Sequence, residues 1–222
     1  MQLGGKTMSD DGMQVRGYLD QKPWIELAQW YYDNGKSGVL GEAEPNWTSD
    51  TFAAGEGAFY LSHIGQFDLG GAQPKFEWDA STEPYFERGK PVAQTSGCAW
   101  VISKASTNKE AAATFLKYIT IDPEASWELT SGNFFASLPL TQENAARLKV
   151  DPAYKQFPKS VKQIGLYETE NWQASYPKSP AVVEYWQYFQ EVFVDLRVGA
   201  REPSAAIMDL TDRVDRALER YR

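Results

Sequence analysis

A run of glycine and apolar residues at positions 52–67, FAAGEGAFYLSHIGQF, places the strongest constraint on the fold of this chain. Gly55 and Gly57 allow a tight turn, because glycine has no Cβ atom to restrict the backbone. Residues 58–64 are mostly apolar and aromatic, which favours a buried strand. Residues 66–68 then supply an amide, an aromatic ring and a carboxylate at the strand's exit, where open α/β sheets bind ligands. This order predicts a ligand cleft more readily than a catalytic centre.

Charge and hydropathy narrow the class of partner. The 222 residues contain 22 basic and 30 acidic side chains, for a net charge of −8. Nucleic acids and anionic membranes select for basic patches, so we expect neither as a partner. No apolar run approaches the roughly 18 to 20 residues that a membrane helix requires, which argues against membrane insertion. A neutral ligand fits this composition better.

The single cysteine and single histidine limit catalytic and metal chemistry. Cys98 excludes an internal disulfide and cannot form a zinc site by itself. It begins an apparent buried strand, which favours a small core residue over a thiolate paired with His63. His63 lies inside the predicted strand at 58–64 and is interpreted as a core or cleft-edge residue. We therefore predict no catalytic residue, no metal site and no cofactor.

Apolar periodicity and capping signals predict a chain rich in helices. Residues 70–90 contain prolines and aromatics with little helical period, so we expect a strand and an irregular connection there. The helices are predicted at 23–34, 51–54, 107–119, 122–132, 141–148, 152–164, 180–198 and 203–221.

Three further segments carry a resemblance to a known family. The glycine turn at 55–67 is followed by an extended crossing at 76–85 and then by SGCAWVISKASTNKEAAATFLKYI at 96–119. The closing sequence VGAREPSAAIMDLTDRVDRAL covers 198–218. In this order the segments resemble the family 1 extracellular solute-binding proteins of ABC importers, the maltose-binding-like group with a type II periplasmic binding fold.

The resemblance implies an α/β fold that is the helix-rich C-terminal portion of a two-lobe binding protein, with the N-terminal lobe largely missing. Residues 1–96 and 155–222 would belong to the C-terminal lobe, and 97–154 to the returning helices of the N-terminal lobe. Apolar faces such as those of Phe115 and Trp127 would then lack their usual cover. We therefore hypothesise self-association as a dimer, or an altered packing.

The resemblance also implies a function and a compartment. The parent family captures a sugar, an oligosaccharide or a related polyol and delivers it to the importer's permease, in the periplasm or on the outer face of the cell membrane. The first residues show neither a basic n-region nor an apolar h-region, so we expect no signal sequence in this chain.

Sugar clefts combine aromatic rings, which stack on C–H faces of the sugar, with polar groups that bind the hydroxyls. Trp100 is expected in the core, because it lies inside an apparent strand. On the same reasoning and the resemblance, the expected ligand contacts are Trp47, Phe67, Ser96, Gly97, Asn133, Trp172 and Tyr176.

Two alternative functions remain open. A chain that lacks half of the cleft could act only as an interaction module, because the opposing ligand contacts would be lost. A glycoside hydrolase could use Glu168 and Glu170, since residues two apart on a strand face the same side at about 6.5 to 7 Å, a separation that suits inverting hydrolysis.

Overall fold

The structure is a computed structural model, and it describes residues 1–40, 49–64, 74–95, 99–131 and 138–222. Within these ranges the chain is mainly helical, and two short strands pair with each other. The helices are α1 (Lys22–Lys36), α2 (Ser49–Ala53), α3 (Lys109–Ile121), α4 (Pro123–Ser131), α5 (Gln142–Val150), α6 (Val161–Asn171), α7 (Val182–Arg197) and α8 (Pro203–Leu218). The strands are β1 (Ala93–Thr95) and β2 (Gln173–Ser175), and 3₁₀ turns cover Pro152–Tyr154 and Glu219–Tyr221.

The chain forms two compact units, and each is discontinuous in sequence. Unit 1 contains Met1–Trp47, Pro84–Val92 and Ser175–Arg222. Unit 2 contains Thr48–Glu83 and Ala93–Ala174. The division into lobes at 1–96, 97–154 and 155–222 stays a prediction.

Unit 1 is built on the mutual packing of α1, α7 and α8. Each helix turns an apolar stripe inward, the pattern expected for helices around a shared core. Helix α1 begins with a proline in its first turn, which suits a helix start because the amide that proline lacks would be unpaired there. The core includes Val15, Leu19, Ala28, Val192, Leu196, Ile207, Leu210, Val214 and Leu218.

Aromatic rings extend this core along α7. The rings of Phe189 and Phe193 stack with centroids 4.2 Å apart, and Tyr31 of α1 meets Phe193 edge to face at 5.0 Å. Close helix contact is required at Gly35 of α1, where a Cβ atom would lie 1.9 Å from the carbonyl oxygen of Arg197. Only glycine therefore allows α1 to approach the end of α7 this closely.

Unit 2 packs α3 on α4, α4 on α5, and α5 on α6. Two of its helices, α4 and α5, begin where the sequence predicts: Asp122 Oδ1 accepts from Ala125 N at 2.9 Å, and Thr141 Oγ1 accepts from Asn144 N at 3.2 Å. Both are N-caps, which satisfy otherwise unpaired amides of a first helical turn. The core cluster here is small and consists of Trp127, Leu148, Tyr154 and Leu166.

Two buried polar side chains join the helices of unit 2. The Asn144 side-chain amide donates to the Pro123 carbonyl at 2.9 Å and to Ser126 Oγ at 2.8 Å, which ties α5 to α4. The ammonium of Lys162, on α6, donates to the Thr130 carbonyl near the end of α4. Burial lowers the pKa of Lys162, and the positive charge of Lys159 lowers it further.

The expected buried strand at 58–64 is wrong for the described structure. Its residues lie outside any strand, Phe59 and Leu61 are 90% and 70% exposed, and His63 is exposed as well. Trp100 was expected in the core and is 52% exposed. A buried strand needs a neighbouring strand and a covering layer. Within the described ranges the only ladder is β1 with β2.

The helix predicted at 152–164 is also misplaced. The structure has a 3₁₀ turn at Pro152–Tyr154, and α6 begins only at Val161 and continues to Asn171. Pro158 disfavours a helical conformation at the residue before it, so the helix starts after the proline. The consequence for function is that Glu168 and Glu170 lie on a helix rather than a strand.

Candidate functional site

Two of the seven expected ligand contacts can be located. Trp172 lies in unit 2 and Tyr176 in unit 1. Both therefore have described surroundings, which can be compared with what a sugar site requires. The other five, Trp47, Phe67, Ser96, Gly97 and Asn133, lie outside the described residues.

Trp172 is held by the backbone at the end of α6. Its amide donates to the Glu168 carbonyl at 2.7 Å, which closes the last helical turn, and its carbonyl accepts from Ala93 N in β1 at 2.8 Å. Its side chain is half-buried, and its ring meets that of Tyr167 at a centroid distance of 5.5 Å and an angle of 75°. Tyr167 is 49% exposed. The end of α6 thus presents two rings on a fixed backbone.

Two partly buried carboxyl groups, those of Glu83 and Glu168, are associated with the same helix. The Glu83 backbone N–H donates to Glu168 Oε1, so the segment before Pro84 is anchored on α6. Partial burial raises the pKa of Glu83, and the negative charge of Glu168 raises it further. We call Glu83, Tyr167, Glu168 and Trp172 the α6-end cluster. It combines acceptors for hydroxyl groups with aromatic surface, within unit 2 alone.

The pairing of Glu168 with Glu170 that the alternative of a glycoside hydrolase requires is not observed. On an α-helix, residues two apart point about 200° apart around the axis, so their side chains leave opposite faces. Glu170 instead forms an ion pair with Lys149 at 2.7 Å, while Glu168 accepts from Glu83. The two carboxylates therefore lack the shared face that the hydrolase alternative requires.

Tyr176 belongs to an aromatic edge of unit 1. Its ring meets Trp186 of α7 edge to face at 5.2 Å, and Tyr176 is 36% exposed. Trp186 in turn contacts Phe189, which belongs to the apolar face of α7. This arrangement holds the Tyr176 ring from one side and leaves part of it open to solvent.

The glycine-turn segment builds a separate ring cluster in unit 2. Gly55 has φ +83°, as expected for a tight turn. Phe52 is buried and stacks on Tyr60 at 5.9 Å, and the rings of Phe76 and Trp78 meet it at 5.4 and 5.9 Å. These contacts use the aromatic residues around the turn for packing. Ligand contact by Phe67, which follows in sequence, stays a prediction.

Among the described residues, no group of three or more His, Cys, Asp and Glu side chains is placed to hold a metal ion. Over the same ranges, no helix is both long and apolar enough to cross a membrane.

Two residues of the α6-end cluster, Glu83 and Tyr167, were not predicted from the sequence. Glu83 lies in a segment without periodicity, and its role depends on a contact with α6, 85 residues away. Tyr167 carried a signal in principle, because it lies five residues before Trp172 and follows the apolar Leu166 of a helical pattern. Because the helix was predicted to end at residue 164, Tyr167 and Trp172 were not recognised as neighbours near the end of one helix.

Comparison with known proteins identifies the family of this chain and structures that share its fold. The family model for bacterial extracellular solute-binding proteins matches residues 1–161. No curated protein matches the chain with significant sequence similarity. The chain is similar in structure to an ABC substrate-binding protein from Listeria monocytogenes, solved in complex with cycloalternan, at a TM-score of 0.76 and 19% identity. It is also similar to the cyclic α-maltosyl-1,6-maltose binding protein from Arthrobacter globiformis, at a TM-score of 0.70 and 18% identity.

The two structural matches cover nearly all of this chain but only about half of each matched protein. The matches cover 98% and 99% of this chain but only 54% of each of the longer proteins. The chain therefore spans about half the length of these relatives, and it shares the fold of that half. The family and the matched proteins are binding proteins.

Proposed function

Because this chain belongs to the bacterial extracellular solute-binding proteins, we propose that it is part of the carbohydrate-binding component of an ABC importer. The observation that carries the proposal is the α6-end cluster, in which the rings of Tyr167 and Trp172 meet near the end of α6 and Glu168 of the same helix accepts from the Glu83 backbone N–H. The Listeria protein was solved in complex with cycloalternan, and the Arthrobacter protein is a cyclic α-maltosyl-1,6-maltose binding protein, which supports an oligosaccharide as the ligand class.

The chemistry of the cluster suits a neutral sugar. The half-buried ring of Trp172 offers an apolar face to sugar C–H groups, and the exposed part of Tyr167 extends that surface. Glu168 accepts hydrogen bonds through its carboxylate, and Glu83 supplies a second carboxyl group, whose pKa is raised by partial burial and by the negative charge of Glu168. Carboxyl groups and aromatic surface in one cluster match the hydroxyl groups and the C–H faces of a sugar ring.

Function of this kind is binding without a chemical step. A sugar that bridges two lobes favours the closed state, and the closed protein delivers it to a permease outside the cytoplasm. We propose the same partner and compartment for the protein to which these residues belong. A chain that supplies only part of the cleft should bind more weakly than a complete protein, because opposing contacts are absent.

Isothermal titration of the 222-residue chain with cycloalternan and with linear maltooligosaccharides tests the proposal. We expect saturable binding to at least one of them, weakened about fivefold or more by Trp172→Ala because stacked aromatic surface is lost. Glu168→Gln should also weaken binding, since it replaces one carboxylate acceptor with an amide donor.

Trp30→Ala provides a matched control for the loss of a ring. Trp30 is a 40% exposed tryptophan of unit 1, in edge contact with Phe86, and it lies outside the α6-end cluster. The control should bind as wild type does. Equal affinity in Trp172→Ala and wild type would refute the assigned site, and absence of binding to every sugar would refute the proposed function.

An interaction module without ligand is the second candidate, supported by the half-length match and by exposed apolar side chains in unit 2. This candidate predicts no saturable sugar binding and a protein partner instead. We propose no catalytic role, since Glu168 and Glu170 leave opposite faces of α6.

A further inference from the structure

The carboxylate of Glu168 lies at the end of α6 that is unfavourable for a negative charge. Glu168 belongs to the last turn of the helix, and that turn has no basic residue. The last carbonyl groups of a helix carry partial negative charge, so they favour cations and disfavour carboxylates nearby. Glu168 accepts from the backbone N–H of Glu83, which has no net charge. This hydrogen bond therefore orients the carboxylate without neutralising it.

A second carboxyl group adds to this negative charge. Partial burial raises the pKa of Glu83, and the negative charge of Glu168 raises it further, so the two carboxyl groups are close enough to repel each other. The described ranges contain every lysine and arginine of the chain. Within those ranges, no ion pair involves Glu83 or Glu168. The side chains of the described residues thus leave the charge at the end of α6 unbalanced.

Two partly buried carboxylates of unit 1 show how such charges are balanced elsewhere. Glu26 pairs with Arg88 at 2.9 Å, and Asp215 pairs with Arg222 at 2.6 Å. Partial burial removes water from a carboxylate, and a nearby cation offsets that loss. Carboxyl groups with a perturbed pKa are concentrated at functional sites. The α6-end cluster combines this property with two aromatic rings.

A ligand can supply the balancing positive charge. An ammonium group is attracted to a carboxylate and to the face of a tryptophan or tyrosine ring. Trp172 follows Glu168 by four residues, the spacing at which helical residues are neighbours. We propose that Glu168 and Glu83 select carbohydrates by charge, so that the α6-end cluster favours a sugar that carries an ammonium group over a neutral sugar and disfavours one that carries a carboxylate. This inference rests on the proposed carbohydrate-binding function and adds its charge selectivity.

Isothermal titration with three matched trisaccharides at neutral pH and low salt tests this selectivity. The three are maltotriose, a derivative with an amine in place of every primary hydroxyl group, and a derivative with every primary alcohol oxidised to a carboxylate. A charge on every ring makes the result independent of which ring the cluster contacts. Two unit charges about 4 Å apart change an affinity about fivefold even at the dielectric constant of water. The amine form should therefore bind about fivefold or more tightly than maltotriose, and the carboxylate form about fivefold or more weakly.

The variants Glu168→Gln and Glu170→Gln separate a local effect from an effect of net charge. Both remove one negative charge from α6, but Glu170 lies outside the cluster and pairs with Lys149. Glu168→Gln should reduce the ratio of the amine-form affinity to the carboxylate-form affinity about fivefold or more, and Glu170→Gln should leave this ratio nearly unchanged. A wild-type ratio near one, or an equal reduction in both variants, would overturn the proposal.

Salt dependence of the wild-type ratio gives a test that needs no substitution. At about 1 M salt, screening should bring the ratio of the two affinities closer to one, because the carboxyl groups are only partly buried. A ratio that does not change with salt would overturn the proposal. Binding of maltotriose without charge selectivity would refute this inference alone. Absence of binding to all three trisaccharides and to cycloalternan would refute the proposed function, and this inference with it.

Discussion

Replacement of Gly35 by alanine separates two opposing effects on stability. Alanine in a helix interior is favoured over glycine by about 1 kcal/mol, so helix propensity alone predicts stabilisation. The structure predicts the opposite, because the new Cβ would lie 1.9, 2.7 and 2.8 Å from three backbone atoms of Arg197. A Cβ atom is not seen closer than 3.0 Å to such an atom. To bring the new Cβ and the Arg197 carbonyl oxygen to that distance, α1 and α7 must move apart by about 1.1 Å.

The cost of that movement exceeds the gain. Overpacking of a well-packed core costs typically about 1 to 3 kcal/mol, and we expect the upper end because the opposing atoms belong to the backbone and cannot change rotamer. After the propensity gain, the free energy of unfolding should fall by about 2 kcal/mol. Urea denaturation, monitored by far-UV circular dichroism, measures this change as a lower urea concentration at the midpoint. The dependence of the unfolding free energy on urea concentration should stay the same.

Gly165→Ala is the matched control in α6. Its Cβ would meet the side-chain atom Ile64 Cδ1 at 2.5 Å, and a flexible side chain can move aside. We expect a change close to zero. A Gly35→Ala protein as stable as wild type, or more stable, would refute the close packing of α1 against α7.

Three further predictions concern buried or partly buried polar groups. Asn144→Ala should lower the free energy of unfolding by about 1 to 3 kcal/mol in thermal or urea melts, because the Pro123 carbonyl loses its buried donor, and an unchanged melt would contradict the bond. The pKa of Lys162 is lowered in the folded state, so the unfolded state binds more protons between that pKa and 10.5. The stability of the wild type relative to Lys162→Met should therefore rise with pH in that window. A flat or falling difference would contradict the burial of Lys162. The pKa of Glu83 is raised in the folded state, so its effect on stability has the opposite sign. The stability of the wild type relative to Glu83→Gln should fall as the pH rises from 4.5 through the raised pKa. A constant difference would contradict the raised pKa.

Helix positions could be predicted wherever local signals were strong. The caps at Asp122 and Thr141 and the glycine at 199, with φ +72°, mark the ends of helices as the structure has them. Such signals depend only on neighbouring residues, so a single sequence contains them. The family, and the match to about half of its fold, were predicted from several sequence segments that follow one another in the family's order. The comparisons confirm both predictions.

The errors arose where distant residues decide the outcome. The segment 58–64 has the composition of a strand, but Phe59 and Leu61 are exposed because strand pairing depends on residues elsewhere. The α6-end cluster likewise depends on the contact of Glu83 with Glu168, which no local pattern contains. Among the expected ligand contacts, Trp172 and Tyr176 have described surroundings, and their contact with ligand stays a prediction.

Hydrogen exchange of the 222-residue chain, measured with and without saturating oligosaccharide, tests the central claim most directly. The amides of Glu83 and Ala93 donate to Glu168 and to the Trp172 carbonyl, so they report on the α6-end cluster itself. Cycloalternan or a linear maltooligosaccharide should slow exchange at these amides and at residues 167–174, while the α1, α7 and α8 core of unit 1 stays unchanged. Unaltered exchange at the cluster with every sugar, or protection confined to unit 1, would contradict the claim that these residues bind carbohydrate.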